Sequence, residues 1–203
     1  MLLITILFLL VAMTVHEISH GLVAHWLGDD TAKRAGRLTL NPIPHIDPFW
    51  TLIFPGLLFF ATGGRFMIGM AKPVPVDFSK LRNPRRDMVW VALAGPLSNI
   101  LMAVVLAFFF KMTHNQLLLY GVYMNLGLGA LNLIPLPPLD GSRILAGLLP
   151  VEWAILYLRI EQFGFLLVLL FYFTGFLMPW VRMGMDFFCW LLRVPSLTEW
   201  LTQ

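Results

Sequence analysis

Four long stretches of this chain carry almost no charge, and they limit its fold more than any other feature. They cover residues 1–28, 88–110, 117–139 and 162–181, and Glu17 is the one charged side chain in them. Each is long enough to cross about 30 Å of hydrocarbon as a helix. Over the whole sequence 12% of residues are charged and 59% are hydrophobic, against roughly 25% charged in soluble domains. The sequence therefore excludes an ordinary soluble fold and predicts an all-α polytopic membrane protein.

A fifth apolar stretch, residues 49–64, is too short and too rich in Pro and Gly for a comfortable span. The flanking loops carry the basic residues: three Lys or Arg lie in 29–48 and five in 71–87, whereas 112–116 has none. A re-entrant 49–64 would place all eight cations together on the cytoplasmic face. We therefore predict re-entry, with a full crossing of this fifth stretch as the alternative. This basic excess already accounts for the net charge of +3, so the charge does not indicate a nucleic-acid partner.

The domain organisation follows from the same count. The helices leave no room for a separate water-soluble module, so residues 1–203 are predicted to form a single integral-membrane domain. Residues 162–181 are expected to be an accessory helix. Residues 182–203 mix charges with Trp and Leu, which predicts an amphipathic interfacial helix, with another span as the alternative.

The first stretch contains His16-Glu17-Ile18-Ser19-His20, which is an H-E-x-x-H pattern. Histidines four residues apart lie on one helical face, so both imidazoles can reach one Zn²⁺ while the intervening Glu reaches its water. A carboxylate at membrane depth costs about 2.5–3.5 kcal/mol on insertion scales, so Glu17 is not expected there without a partner. The pattern predicts one zinc ion per chain.

Two histidines and a water leave tetrahedral zinc one ligand short. Asp140 is the best candidate, because it ends a segment from Asn132 in which three prolines break the helix; Glu152 and Glu161 are the alternatives. To meet His16 and His20 at one depth, the 117–139 helix must run parallel to the first helix. This requires an odd number of crossings between them, which again favours a re-entrant 49–64.

At these positions the sequence resembles the site-2 protease family of intramembrane zinc metalloproteases. The resemblance rests on the H-E-x-x-H pattern, on Gly95-Pro96-Leu97-Ser98-Asn99 in a central helix and on Asn132 to Gly141, in the family's order. These motifs cover a three-helix core, residues 1–28 and 88–141. The runs from Asn41 to Pro48 and from Lys72 to Pro75 look like the compact branch of the family, which has no PDZ domain.

The resemblance implies a role for each motif residue. His16, His20 and Asp140 would bind zinc, and Glu17 would be the general base. Asn132 would stabilise the oxyanion, with a bond to its own helix backbone as the alternative.

Several other polar residues have simpler interpretations. Asn99 is expected to serve helix packing, and His45 is expected to be a turn or substrate-contact residue more than a ligand. His25 is expected at the membrane interface and His114 in solvent. The alternation from Arg37 to Asn41 predicts a short strand that pairs with an unwound substrate.

The sequence as a whole predicts an intramembrane endopeptidase. Its substrate would be a membrane protein, cut in or near a transmembrane segment, for signalling or for clearing signal-peptide remnants. The expected location is a prokaryotic inner membrane with the active site toward the cytoplasm; oligomeric state, gating and cleavage site stay open. The alternatives are an unrelated membrane zinc enzyme with Glu as third ligand and a non-catalytic metal carrier, which would need further intramembrane carboxylates.

Overall fold

The computed structural model describes residues 2–63, 69 and 71–202. The predicted segment ends at residues 1, 64 and 203 lie outside these. The described chain is helical and contains no β-strand. Its helices are α1 (Leu2–Trp26), α2 (Thr31–Arg34), α3 (Phe54–Ala61), α4 (Pro84–Thr113), α5 (Gln116–Asn132), α6 (Asp140–Leu148), α7 (Val151–Leu158), α8 (Gly164–Phe173), α9 (Leu177–Leu192) and α10 (Leu197–Leu201).

Three helical runs are long and apolar enough to cross a membrane. They are Ile4–Trp26, Pro84–Thr113 and Val151–Phe173, the last formed by α7, a 3₁₀ turn and α8. Helix α4 begins with Pro84 directly after Asn83, a favourable start because proline lacks the N–H that a first-turn residue would leave unpaired. The predicted all-α membrane fold is confirmed.

Helices α1, α4 and α5 form the centre of the molecule. Thr5 of α1 contacts Tyr120 near the start of α5, with their hydroxyl oxygens 2.7 Å apart. Asp140, just beyond the end of α5, lies against His16 and His20 further along α1. Helices α1 and α5 are therefore parallel, as the sequence predicts.

Helix α4 returns between them in the opposite direction. Its residue Val91 contacts His20, whereas Asn99, two turns further along α4, contacts Ala12 near the middle of α1. Buried side chains of α4, α5 and α9 form the largest hydrophobic cluster. The side of α4 away from this cluster exposes large apolar residues, which suits contact with lipid tails.

The C-terminal part differs from the predicted segments. Residues 162–181 are not one helix, because the chain turns at Gly175, whose φ is +74°, and α9 begins at Leu177. The tail from residue 182 is amphipathic as predicted, but its apolar face packs antiparallel along α5. A Cβ on Gly184 would lie 3.0 Å from Ala130, and Trp200 Nε1 donates to Gln116 Oε1 at 2.9 Å.

The predicted strand from Arg37 to Asn41 is wrong. Local side-chain bonds hold the backbone in a bend: the Asn41 N–H donates to Thr39 Oγ1, and Asn41 Oδ1 accepts from the Ile43 N–H. Such side-chain hydrogen bonds satisfy backbone groups that would otherwise pair with a neighbouring β-strand. The buried Arg37 side chain also donates to the carbonyl of Lys72 and so ties the bend to the following loop.

The residues before and after the apolar segment that follows this bend lie close together. It forms a π-helical turn, Pro48–Ile53, that continues into α3, a run of only 14 residues. Gly69 lies against Trp50 and Pro55, and the Lys72 N–H donates to the His45 carbonyl at 2.9 Å. The flanking residues His45 and Lys72 therefore lie together.

Candidate metal centre

His16 and His20 lie one turn apart on the inner face of α1. Both side chains are buried, and their ring centroids are 4.7 Å apart in an edge-to-face arrangement. The i, i+4 spacing of an α-helix produces this arrangement directly, because such residues lie above one another on one face. The two Nε2 atoms are 3.0 Å apart.

Asp140 reaches these histidines because α5 stops early. The helix ends at Asn132, the proline-rich turn follows, and Asp140 is the first residue of α6. Gly141 makes the turn possible, since a Cβ there would lie 2.4 Å from the carbonyl oxygens of Leu133 and Ile134. Asp140 therefore begins α6, and α5 ends at Asn132, whereas the sequence predicts a helix that continues to residue 139.

The three predicted ligands converge on one point. Asp140 Oδ2 lies 3.0 Å from His16 Nε2 and 3.3 Å from His20 Nε2, and this oxygen is buried without a hydrogen-bond donor. Within the described residues, no other group of His, Cys, Asp or Glu is close enough to share a metal. Donors bound to one tetrahedral zinc at ~2.0–2.1 Å stand roughly 3.3 Å apart, so the spacing fits zinc.

The histidine tautomers favour a metal as well. The Val91 carbonyl can only accept, so the His20 Nδ1 that lies 2.7 Å from it carries the proton. Asn99 donates from Nδ2 to the Ala12 carbonyl, which turns Asn99 Oδ1 toward His16 Nδ1 at 2.7 Å and fixes the proton there. In these tautomers both Nε2 atoms are acceptors that face a carboxylate, and such a set of three acceptors suits a metal cation.

Helix α4 approaches the histidines through Gly95. A Cβ at this position would lie 2.4 Å from His20 Nε2 and 2.6 Å from His16 Nε2, closer than any side chain tolerates. Glycine therefore permits the close packing of α4 against the two imidazoles. Pro96 follows it inside the helix, and both residues are buried.

Glu17 lines the same cavity as the three ligands. The cavity has a volume of about 610 Å³ and is bordered mainly by apolar side chains. The backbone N–H of Val74 donates to Glu17 Oε2 at 2.7 Å, so an extended loop from Ala71 to Val76 holds the carboxylate. In the described part of the chain, no protein donor contacts the other carboxylate oxygen, which leaves it able to accept a proton.

Asn132 also lines this cavity, but its amide is already used. Nδ2 donates to the Leu128 carbonyl at 3.0 Å, the helix-backbone bond that the sequence offered as the alternative to an oxyanion role. One N–H of this amide remains. The structure thus brings Asn132 to the cavity wall without contact to the three ligands.

The remaining candidate residues lie outside the ligand group. His45 is buried with Nε2 3.1 Å from the Thr39 carbonyl, and His25 Nδ1 pairs with Asp30 Oδ1 at 2.6 Å. His114 is exposed and ends α4. Glu152 is exposed and lies outside this group.

Glu161 lies on the cavity wall without joining the ligands. It accepts from Arg143 Nη2 at 2.7 Å, and the Arg143 guanidinium stacks 5.5 Å from the ring centre of Phe78. Among the described carboxylates, Asp140 is therefore the one grouped with both histidines, and Glu161 is paired with Arg143 instead.

Sequence reasoning assigned Asn99 and Gly95 to helix packing and did not single out Val91 or Val74. Asn99 is fully buried in an apolar helix, and an amide there needs partners, so burial was the one signal that could have found it. The Val91 carbonyl and the Val74 N–H are backbone groups, and sequence carries no signal for them.

The fold and the site together define a helical membrane protein with a His₂Asp metal centre beside a carboxylate, the arrangement of a zinc hydrolase. Known proteins agree. The description "Peptidase family M50" matches residues 110–175, which include Asn132 and Asp140. YwhC of Bacillus subtilis (strain 168), named as a zinc metalloprotease, is 36% identical over 199 residues, 89% of this chain and 87% of YwhC.

More distant relatives carry the same type of name. Rip2 of Mycolicibacterium smegmatis, named as a zinc metalloprotease, is 30% identical over 178 residues, 84% of this chain and 67% of Rip2. MJ0611 of Methanocaldococcus jannaschii, named likewise, is 36% identical over 87 residues, 40% of this chain and 44% of MJ0611. No solved structure matches the chain. The chain belongs to peptidase family M50, the site-2 proteases, and is a zinc metalloprotease with several membrane helices.

Proposed function

We propose that this metalloprotease is an intramembrane endopeptidase, which hydrolyses peptide bonds in or near transmembrane segments of other membrane proteins. The observation that carries the proposal is the convergence of His16, His20 and Asp140 beside Glu17 within an apolar cavity. The depth of the site supports a substrate inside the bilayer. His20 precedes Trp26, the end of the first span, by six residues, or about 9 Å of helix, and His16 lies deeper still.

Each residue of the site has a separate chemical role. His16, His20 and Asp140 would hold zinc, and bound zinc supplies Lewis acidity and an acidified water ligand. Glu17, held by the Val74 N–H, accepts a proton from the attacking water and returns it to the leaving amine. The free N–H of Asn132 turns toward the carbonyl oxygen of the scissile bond and stabilises its developing negative charge.

The catalytic test compares zinc content with cleavage. Wild type, His20→Ala, Asp140→Ala and Glu17→Gln are purified in detergent, bound zinc is measured by elemental mass spectrometry, and each is assayed on a generic single-pass membrane protein. We expect about one zinc per chain in wild type and Glu17→Gln, little in the two ligand variants, and cleavage in wild type alone. Cleavage by Glu17→Gln would refute its role as base.

A second assay compares the membrane-embedded substrate with a soluble unfolded peptide of the same sequence as the cleaved region. This comparison distinguishes intramembrane cleavage from general proteolysis. We expect cleavage of the membrane-embedded substrate in proteoliposomes, at a bond within or beside its apolar segment. Cleavage only of the soluble peptide would retain the metalloprotease and reject the intramembrane substrate.

The same site would also serve a metal carrier, the second candidate. A carrier has no need for a carboxylate beside its ligands, and Glu17 lines the cavity. A Glu17→Gln variant with full zinc and no cleavage is the outcome that rejects the carrier.

The zinc site is proposed to lie toward the cytoplasm of a prokaryotic inner membrane. The two basic loops support this orientation, because the Asp77 N–H donates to Asp29 Oδ2 at 2.7 Å and Lys80 Nζ to Thr31 Oγ1 at 3.1 Å, so both loops lie on one side of the molecule. Lys and Arg concentrate on cytoplasmic loops. Because the flanking residues His45 and Lys72 also lie together, the segment 49–64 is proposed to re-enter without crossing.

A further inference from the structure

An open groove outside the catalytic cavity lies where the N-terminal turns of α4 meet the end of α6. Its volume is about 540 Å³, and no zinc ligand borders it. The groove combines a cationic end with an apolar end. Arg85 and Arg86 form the first, and Val89, Trp90 and Leu148 form the second.

The cationic end is available to an anion. Both arginines are exposed, and among the described residues neither has an acidic partner. Arg85 Nε donates to the Gly147 carbonyl at 3.1 Å, which fixes this side chain at the groove and leaves its outer nitrogens free. The nearest acid in the chain, Asp87, is buried, and its carboxylate accepts from the Asn83 N–H. A pair of guanidinium groups without counter-charge suits a phosphate group.

The apolar end of the groove is open to its surroundings. Trp90 is 49% exposed and Leu148 is 71% exposed, although both border the groove. Val89 lies between them and contacts Gly147, where a Cβ would meet it at 2.2 Å. This floor would accept an alkyl chain.

The position of the groove selects the kind of ligand. The charge-free part of α4 begins at residue 88, directly after Arg85, Arg86 and Asp87, and the helix is 30 residues long, enough to extend beyond the hydrocarbon at its ends. The arginines therefore lie at the level of the lipid headgroups, and Trp90 lies at the level of the aromatic belt. An anion that also has an apolar chain at this depth is a phospholipid.

We propose that this groove binds one anionic phospholipid, with its phosphate between Arg85 and Arg86 and an acyl chain along Trp90 and Leu148. A net negative headgroup is required, because a zwitterionic one carries its own cation next to the phosphate. Basic clusters at the cytoplasmic ends of membrane helices attract anionic lipids in this way. The inference does not depend on the proposed substrate, since it concerns a different surface.

The test uses the full chain purified in detergent, stripped of lipid and then titrated with phosphatidylglycerol or phosphatidylcholine, with bound lipid counted by native mass spectrometry. We expect wild type to retain one phosphatidylglycerol and to prefer it over phosphatidylcholine. Arg85→Gln/Arg86→Gln should weaken phosphatidylglycerol binding by about tenfold or more. The matched control is Lys111→Gln, which removes an exposed cation at the opposite end of the same helix and should change nothing. Equal binding of the two lipids, or full binding by the double variant, would overturn the proposal.

Two further measurements make the result decisive. Zinc content reports folding of each variant, and Arg86→Gln alone carries the test if loss of the Arg85 bond to Gly147 prevents folding.

Inorganic phosphate as the sole probe and Trp90→Ala separate a lipid from a free anion. If the groove is a lipid site, Trp90→Ala should lose phosphatidylglycerol and inorganic phosphate should not bind. Binding of inorganic phosphate that requires the arginines and is unaffected by Trp90→Ala would contradict the lipid proposal. A mass shift to dimer that depends on the arginines would mark the groove as a contact between copies and would equally contradict it.

Discussion

The contacts of Asn99 cannot be inferred from its position in the sequence alone. The sequence favours a packing role, because small residues surround Asn99 in an apolar helix. In the structure its amide joins the Ala12 carbonyl, His16 Nδ1 and Asn125 Oδ1. His16 lies 83 residues away, so only the tertiary arrangement of α1 and α4 reveals the contact. The histidine pair could be predicted, because the i, i+4 histidines lie within one helix.

Asn99→Ala is expected to reduce zinc affinity about 10–100-fold, because His16 loses the acceptor that orients its ring. The measurement is competition for zinc against a chelator of known affinity. Ser98→Ala is the matched control, since Ser98 bonds only the carbonyl of Gly95 within its own helix. Equal affinity in wild type and Asn99→Ala would return Asn99 to a packing role.

Asp29 joins the end of α1 to the loop that holds Glu17. The side chain is fully buried, and its carboxylate accepts from the backbone N–H groups of Thr31 and Asp77. Burial alone would raise the pKa of Asp29, but bonds from the Thr31 hydroxyl and these N–H groups, with Lys80 nearby, lower it below the ordinary value of 3.8. The folded protein therefore prefers the ionised carboxylate.

The stability that Asp29 contributes should depend on pH. It is fully present above the ordinary pKa and is lost as the pH falls through the lowered one. Asp29→Asn is expected to destabilise the protein by roughly 1–3 kcal/mol near neutral pH, seen as a lower melting temperature in detergent, with a difference from wild type that shrinks below about pH 4. Asp186→Asn, at an exposed site on α9, is the control. A difference that grows toward low pH would contradict this account.

At the level of the elements, the sequence predicts which segments are helical better than where they stop. The prolines between Asn132 and Asp140 predict a break in the helix, yet the helix ends before them and a new one begins at Asp140. The backbone packing of Gly141 against the Leu133 and Ile134 carbonyls, a tertiary constraint, fixes that end. Similarly, the charge-free stretch predicts that the accessory helix begins after Glu161, although the helical run in the structure starts at Val151.

The contact between α1 and α4 predicts a sensitive glycine. Gly95→Ala should abolish zinc binding, with less than about a tenth of wild-type zinc retained, because its methyl group would occupy the space of the two imidazoles. Gly127→Ala is the matched control: its Cβ would meet the end of the Met185 side chain at ordinary contact distance, 3.6 Å from Sδ and 4.0 Å from Cε, and alanine favours a helix. Elemental analysis of the purified variants provides the measurement. Full zinc in Gly95→Ala would mean that α4 can retreat from the histidines at little cost.

For the whole molecule, the parallel course of α1 and α5 could be predicted because two distant ligands must meet at one depth. The packing of α9 along α5 could not, since a helix with one apolar face and several charges suits a membrane surface as well as a protein core. Here Leu177, Val181, Met185 and Cys189, spaced four residues apart, cover α5 and are all buried. The amphipathic pattern therefore identifies an apolar face, and only the tertiary structure shows that α5 covers it.

Re-entry of 49–64 gives the whole molecule a testable topology. In a Cys189→Ser background, Lys33→Cys and Lys80→Cys report the two basic loops, and His114→Cys reports the loop between α4 and α5. These three positions are exposed, whereas Cys189 is buried. With a membrane-impermeant maleimide, we expect residues 33 and 80 to be labelled in inverted membrane vesicles and residue 114 in intact cells, because α4 crosses and 49–64 does not. Labelling of 33 and 80 from opposite sides would mean that the segment crosses and would contradict the proposed topology, in which the Asp77 N–H bond to Asp29 and the Lys72 N–H bond to the His45 carbonyl keep these loops on one side.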